Sequence, residues 1–275
     1  MNIAVEREFD FSRQDFAFIR EMMLRETGIS LGDGKMTMVY GRLCRRIREL
    51  ELNSVGQYLQ MIGESAVERE KFVNALTTNR TQFFRESHHF EYLQHKLIPE
   101  WKRRPKPIRI WSAGCSTGEE PYTIASVLKY EGLLDGGWDI SILATDLDTQ
   151  VLSKAKKGEY PITDSRGIPE PFLKSAFVRG RGSHEGVFKA KAEVQHFIRF
   201  QQLNLLHEWP FKTQFDVIFC RNVMIYFQRD TQQTLLCRYY SHLRTGGALF
   251  IGHSESIGEV GSKLTNVCHT GFIKP

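Results

Sequence analysis

Up to about Thr78 the apolar positions recur every three or four residues. Val39, Leu43, Ile47 and Leu50 form one such stripe, and a second periodic stretch runs from Val67 to Leu76. Every periodic segment here is helical in pattern, so this part is predicted to be all α. A further helix is predicted from about His88 to Trp101. It runs into Lys102-Arg103-Arg104-Pro105-Lys106-Pro107, where the prolines forbid its continuation and mark a junction. From Ile108 the pattern changes. Short β-prone runs at Arg109–Ser112, Ser141–Thr145, Ile198–Gln201, Phe215–Cys220 and Ala248–Gly252 alternate with helical stretches at Glu119–Tyr130, Asp148–Lys156 and Asp230–Leu243. Asp148 and Asp230 stand where helix N-caps belong. The alternation predicts an α/β domain, a parallel sheet with helices on both faces. One interruption lies between Tyr160 and Phe197, where three prolines and the segment Arg179-Gly180-Arg181-Gly182-Ser183-His184-Glu185-Gly186 precede the runs Val187–Ala190 and Glu193–Phe197. A small antiparallel insertion with a hairpin loop fits this better than a helical crossover. The predicted organisation is a helical domain over 1–85, a linker helix and junction over 86–107, and an α/β domain over 108–275 with an inserted β-subdomain at 160–197. No repeat or low-complexity segment is present.

Composition narrows the class. The chain has 275 residues, 41% hydrophobic and 25% charged, as in a folded globular protein. No uninterrupted apolar run approaches the roughly 18 residues of a membrane span. The opening MNIAVEREFDF lacks the apolar core of a secretory signal. Cys44, Cys115, Cys220, Cys237 and Cys268 are scattered, odd in number and never paired as C-x-x-C, which argues against a disulfide framework or a zinc site. His88, His89 and His184 have no metal-ligand spacing either, so no metal is expected. A reducing cytoplasm is the expected location and a monomer the expected state. The net charge of +5 permits an acidic partner but gives little drive toward nucleic acid.

The chemistry is predicted at strand ends, since ligands of open α/β sheets bind beyond the carboxyl ends of the strands. The first strand runs into Ser112-Ala113-Gly114-Cys115-Ser116-Thr117-Gly118-Glu119-Glu120-Pro121, a turn of small residues and then an acidic helix start. Small side chains let a ligand approach the backbone, and a helix N-terminus presents free N–H groups. The spacing is neither G-x-G-x-x-G nor a P-loop. Two glutamates would repel a pyrophosphate but suit a ligand carrying ammonium and sulfonium charge, which favours S-adenosylmethionine. The second strand ends in Ala144-Thr145-Asp146-Leu147-Asp148, where Asp146 is the candidate acceptor for ribose hydroxyls and Asp148 the helix cap. The third leads to Gln202-Leu203-Asn204-Leu205, where Asn204 could read an adenine edge. The fourth ends Phe219-Cys220-Arg221-Asn222-Val223, leaving Arg221 and Asn222 at the crevice mouth.

Two basic features suggest partner contacts. Arg42, Arg45, Arg46 and Arg48 share the polar side of one helix with no acid before Glu49. Arg179 and Arg181, with Lys189 and Lys191, make the insertion basic, as an edge docking a peptide strand would be. The string Thr77-Thr78-Asn79-Arg80-Thr81-Gln82-Phe83-Phe84-Arg85-Glu86 is too polar for a helix interior and too aromatic for a plain linker. Phe83 and Phe84 would anchor it, leaving Asn79, Thr81 and Arg85 to face a site.

Together TNRTQFFRE, SAGCSTGEEPYTIA, ATDLD, FDVIFCRNVMIYF and GGALFIGHSES closely resemble the CheR family of chemotaxis receptor glutamate O-methyltransferases, over essentially the whole chain. The resemblance implies a Rossmann-like S-adenosylmethionine-dependent methyltransferase domain, a small all-helical N-terminal domain and an inserted antiparallel β-subdomain. It implies cofactor contacts at Asn79, Thr81, Arg85, Glu119, Asp146, Asn204, Leu205, Arg221 and Asn222, with Arg85 and Tyr226 at the reaction site. Arg80 departs from the pattern, in which an uncharged or acidic residue is more usual. The implied reaction methylates specific glutamate carboxylates on the cytoplasmic domain of bacterial chemoreceptors and releases S-adenosyl-L-homocysteine. In some relatives the β-subdomain also binds a receptor C-terminal tether peptide. The segment RNVMIYF loosely echoes the N-P-P-Y loop of base methylases but lacks its prolines. A non-catalytic scaffold keeping the fold is the other alternative, and the intact set of polar strand-end residues argues against it.

Overall fold

Residues 8–104 and 106–275 are described by the computed structural model; the first seven residues of the N-terminal stretch and Pro105 of the junction lie outside them. The helical pattern at the N-terminal side becomes α1 (Arg13–Thr27), α2 (Met36–Glu49), α3 (Val55–Glu64) and α4 (Ala66–Leu76). Ser12 and Asp15 form a capping box at the start of α1, and Gly28 closes it in the left-handed conformation. The stripe on α2 is buried through Val39, Leu43, Cys44 and Ile47, whereas Leu50 ends the helix as its cap. These helices form one compact unit, running to Thr78 and including Tyr226–Gln228.

Inside this unit the arginines of α2 are mostly occupied. Arg46 grips the buried Glu68 of α4 through two bonds of 2.6 and 2.7 Å, and the Tyr58 hydroxyl donates to the same carboxylate at 3.2 Å. Arg42 donates to the carbonyls of Ala75 and Thr77 at 3.1 and 2.7 Å, satisfying the last turn of α4. Arg48 pairs with Glu8, and Arg45 with Glu49 one turn on.

The second unit holds residues 79–225 and 229–275. Its main sheet is built from β1 (Ile108–Ala113), β2 (Ile140–Asp146), β6 (Ile198–Gln202), β7 (Phe215–Cys220), β8 (Leu243–Ile251), β9 (Thr265–Cys268) and β10 (Gly271–Ile273), in the order β6-β2-β1-β7-β8-β10-β9. The first five in that order are parallel, and β10 runs antiparallel to both its neighbours. The helices are α5 (His88–Tyr92), α6 (Ile98–Arg103), α7 (Glu119–Tyr130), α8 (Thr149–Lys157), α9 (Glu170–Ala176), α10 (Ala192–Gln195) and α11 (Arg229–His242). Alternate residues of β1 serve two cores. Ile110 joins Phe90, Tyr122, Ile142, Val217 and Phe250 on one face. Trp111, on the other, packs among Trp209, Phe211, Phe215 and Tyr239 at ring distances of 4.6 to 5.4 Å.

A separate antiparallel sheet, in the order β3-β5-β4, is formed by β3 (Glu159–Pro161), β4 (Phe177–Arg179) and β5 (Val187–Ala190). It supplies Tyr160, Phe177 and Phe188 to a cluster around Phe83. The run Glu193–Phe197 is not a strand, as its pattern suggested, but falls largely in α10. Its apolar residues Val194 and Phe197 stand three apart, which is helical spacing, and Val194 alone of α10 is buried. The helix expected from His88 to Trp101 is broken into α5 and α6 by a π-type stretch at Leu93–Leu97, where the N–H of Ile98 reaches the carbonyl of Leu93. Pro99 follows and has no N–H to keep the ordinary ladder. Asp230 lies inside the first turn of α11, where its charge complements the helix dipole, and is not the residue before it.

Removing Arg46 strands a buried carboxylate. Arg46→Ala is expected to destabilise the protein by about 2–4 kcal/mol, the scale of breaking one side of a buried ion pair. Arg45→Ala, at a side chain 82% exposed, should leave the melting temperature nearly unchanged. Equal thermal melts for the two variants would show that the Arg46–Glu68 pair is not structural.

Candidate active site

Strand order leaves β1 in opposite directions toward β2 and β7, which opens a crevice beyond their carboxyl ends. The loop after β1 turns through Gly114 at φ +90°, Ser116 at φ +50° and Gly118 at φ +99°. A Cβ on Gly114 would stand 2.3 Å from Cγ2 of Val223, so glycine is required there by close packing as well as by conformation. The N–H groups of Gly114 and Cys115 both donate to the Thr145 carbonyl at 2.8 Å, tying the loop to the end of β2. No side chain caps α7, which begins at Glu119.

Asp146 and Asp148 divide their labour. Asp148 Oδ1 accepts from the N–H groups of Gln150 and Val151 at the start of α8, and its Oδ2 accepts from Asn79 Nδ2 at 2.7 Å. Asp146 accepts from the N–H of Ser116 at 2.8 Å and that of Asp148 at 3.0 Å. Burial pushes its pKa up to about 6, against the pull of these backbone donors. A carboxylate has about four acceptor positions, so capacity remains for hydroxyl donors from a ligand.

The two glutamates at the start of α7 diverge. Glu119 is buried and held by the Thr117 hydroxyl at 2.7 and 2.8 Å; burial raises its pKa. Glu120 accepts from the Ser112 hydroxyl at 2.7 Å and from Arg221 at 2.9 Å. Only Glu119 retains uncompensated negative character. Arg221, expected at the crevice mouth, is 7% exposed and held among its neighbours. It pairs with Glu120 and, at 3.4 Å, with Glu86, donates to the Arg85 carbonyl, and lies over the Phe90 ring.

The other sequence-derived residues are placed as follows. The Asn79 carbonyl accepts from Ser116 Oγ at 3.2 Å, bringing the segment 79–86 onto the small-residue loop. Thr81 and Arg85 are half-buried on that segment, and Arg85 Nη1 donates to the Arg80 carbonyl at 3.0 Å. Arg80 itself is exposed. Asn204 turns its Oδ1 to the N–H of Leu206 at 3.0 Å, and the Leu205 carbonyl accepts from Arg238 at 2.6 Å and from the Trp209 indole at 3.2 Å. Arg238 also stacks over Trp209 at 4.0 Å, so that loop is shaped from α11. Asn222 occupies φ +60°. Tyr226 belongs to the first unit, where its hydroxyl donates to the Thr78 carbonyl at 3.3 Å and its carbonyl accepts from Ser30. Arg179 and Arg181 are exposed on the β4–β5 hairpin.

Sequence reasoning missed Glu86 and Glu255. Glu86 Oε1 accepts from His253 Nδ1 at 2.9 Å and from Asn222 Nδ2 at 3.3 Å. Burial alone would raise its pKa, but the His253 hydrogen bond, the Arg221 charge and the Asn222 amide together hold it down at about 2. Glu255 accepts four backbone N–H groups around the end of β7. Both lie within the motif strings quoted above, but the partners that hold them are far off in sequence, Arg221 and His253 for Glu86 and the backbone of 222–225 for Glu255.

An enclosed acid beside a glycine loop, an uncapped helix start and acidic first-turn character fit a nucleoside ligand with positive charge. With the strand order, they define a Rossmann-like, S-adenosylmethionine-dependent methyltransferase. Residues 79–273 match the SAM-binding domain of CheR methyltransferases and residues 14–77 match their all-alpha domain. The chain is 44% identical over 269 residues to chemotaxis protein methyltransferase 2 of Pseudomonas aeruginosa, covering 97% of this chain and 95% of that protein. Chemotaxis protein methyltransferases of Salmonella typhimurium and Escherichia coli are 42% and 41% identical, covering 89% and 91% of this chain and 84% and 87% of their own lengths. The chain belongs to the CheR methyltransferase family, and its cofactor is S-adenosylmethionine.

Asp146→Ala should weaken S-adenosylhomocysteine binding by about 1.5–3 kcal/mol, the scale of hydrogen bonds to a charged group. Ligand hydroxyls donate to the ionised carboxylate, so wild-type affinity should be full above neutrality and decline as pH falls through about 6. Calorimetry at several pH values tests both statements. Affinity flat from pH 8 to pH 5, or unchanged in the variant, would remove Asp146 from the ligand.

Proposed function

We propose that this chemotaxis methyltransferase esterifies glutamate side chains on the cytoplasmic domain of bacterial chemoreceptors. The observation that carries this reading is the agreement between the crevice, with Asp146 and Asn79 bonded to the small-residue loop and Val223 packed against it, and a CheR match spanning both the helical and the α/β parts of the chain. S-adenosylmethionine, when bound, would supply an electrophilic methyl on a sulfonium leaving group, which would go to a glutamate carboxylate oxygen while the electron pair of the broken carbon–sulfur bond stays with sulfur.

A glutamate is ionised at neutral pH, with a reference pKa near 4.3, so no residue need act as a general base. What remains for the protein is placement and exclusion of water. Asp146 orients the ribose, Glu119 adds negative charge beside it, and Asn79, Thr81, Asn204, Leu205 and Asn222 line the cofactor's course. Arg85, on the segment that Asn79 fastens to the loop, orients the reacting groups. Arg221 acts through Glu86 and Glu120, because its charge is already compensated. That neutrality is useful: a strong free cation beside the substrate carboxylate would lower its nucleophilicity.

The receptor's methylated region is glutamate-bearing, and the arginine face of α2 suits it. Arg45 is the arginine most available for this, since Arg46 and Arg42 are committed within the unit; Arg48 contributes at the edge. Arg179 and Arg181 would receive an acidic tether peptide along the exposed edge of β4. The enzyme acts as a monomer in the cytoplasm, and among the described residues no helix is long and apolar enough to cross a membrane.

Incubation with methyl-labelled S-adenosylmethionine and receptor-bearing membranes should give label on the receptor that mild base releases as methanol. Base-stable label would point to another acceptor atom. Arg45→Glu should slow receptor methylation several-fold and leave S-adenosylhomocysteine affinity intact; loss of that affinity instead would mean the arginine is structural.

A further inference from the structure

The turn that follows β7 takes its shape from a residue beyond the neighbouring strand. Asn222 sits in the left-handed region at φ +60°, and the chain then winds through Met224 and Ile225. Three N–H groups of this turn converge on Glu255, those of Asn222 at 3.1 Å, Met224 at 2.7 Å and Ile225 at 3.3 Å; the N–H of Gly252, at the end of β8, joins them. Strands β7 and β8 are in register at Cys220 and Ile251, so this one carboxylate staples two adjacent strand ends together.

Packing leaves the turn little freedom. A Cβ on Gly252 would stand 2.7 Å from the Asn222 nitrogen and 2.5 Å from its Nδ2. On the other side, Val223 fills the space that a Cβ on Gly114 would need, against the small-residue loop of the cofactor crevice. The Asn222 amide is then fastened to Glu86 at 3.3 Å. Moving the Glu255 carboxylate therefore moves both the side chain of Asn222 and the wall that Val223 sets against that loop.

We propose that Glu255 is a positioning residue for methyl transfer, holding Asn222 in its turn and Val223 against the cofactor loop through backbone hydrogen bonds and not through contact with either reactant. The inference rests on reading the crevice as the S-adenosylmethionine site, and it is independent of which carboxylate accepts the methyl. A glutamine at 255 keeps the shape but turns an amide donor toward backbone donors, so the staple loses half its acceptors without loss of volume.

The test compares wild type, Glu255→Gln, Glu255→Asp and the surface control Glu259→Gln by thermal melting, by S-adenosylhomocysteine calorimetry and by the KM for S-adenosylmethionine. E255Q should keep a cooperative melt while its Kd and KM rise together by about tenfold or more, as misplacement of a site wall predicts. E255D, which keeps the charge, should lose less than E255Q, and the control should bind as wild type does. A folded E255Q whose affinity stays within about twofold of wild type would overturn the proposal. So would a loss of activity that only tracks the unfolded fraction, with KM unchanged, since that is a purely structural role. Should E255Q fail to melt cooperatively, E255D decides by the same criterion. Wild type that binds S-adenosylhomocysteine but labels no receptor glutamate would sink the acceptor assignment and leave this comparison standing; wild type that binds none would overturn both.

Discussion

A carboxylate taken out of water must be given donors or a cation, and this fold gathers four of them at the carboxyl end of one sheet. Their partners are of three kinds. Glu120 and Glu86 share Arg221, the residue directly after β7. Glu255 is fed by backbone N–H groups alone, and Asp146 by the loop after β1 and the start of α8. The consequence is a set of cross-links between strand ends that no ladder of backbone bonds could supply. Loops beyond a sheet are ordinarily its least ordered parts. Here they are held by charges that would be costly to release.

The same arrangement sorts charge for the reaction. Arg221 is neutralised twice over and buried over Phe90, so the strongest cation at the end of β7 is removed from play as a substrate ligand. Glu120 is spent on the same pair, which leaves Glu119 and Asp146 as the acids with negative character to offer a cationic cofactor. A methyl transfer to an already ionised acceptor asks for this economy. It needs orientation and a field that favours the sulfonium, not a proton shuttle.

Much of this could be read in the chain, because the signals were local. The glycine loop, the strand-end acid at Asp146 and the capping aspartate at Asp148 each follow from nearest-neighbour chemistry, and the structure places them as read. The alternation from Ile108 gave the parallel strands, since buried runs such as Phe215–Cys220 have no other use for so many β-formers. Long-range pairing is where reading failed. Nothing near Arg46 in sequence announces Glu68, so the α2 arginines looked like a free ridge. Arg221 likewise reads as a ligand until Glu86 and Glu120, more than a hundred residues earlier, are seen around it. The short strands β9 and β10 at one end of the sheet carry too few apolar residues to show a period at all.

Asp146 shows how the crevice couples folding to its ligand. Its pKa in the folded chain, about 6, lies above the ordinary value of 3.8. Between those two values the folded chain therefore holds a proton that the unfolded chain has lost. The group's contribution is complete at low pH and is lost as pH rises through about 6, so at neutrality an ionised Asp146 is a burden on the fold. In the proposed cofactor site, ligand hydroxyls donating to that carboxylate would relieve it. A site built on that proposal is weakest when empty and ionised, and the free energy recovered on binding would go into holding the loop after β1, the segment 79–86 and the start of α8 in one geometry.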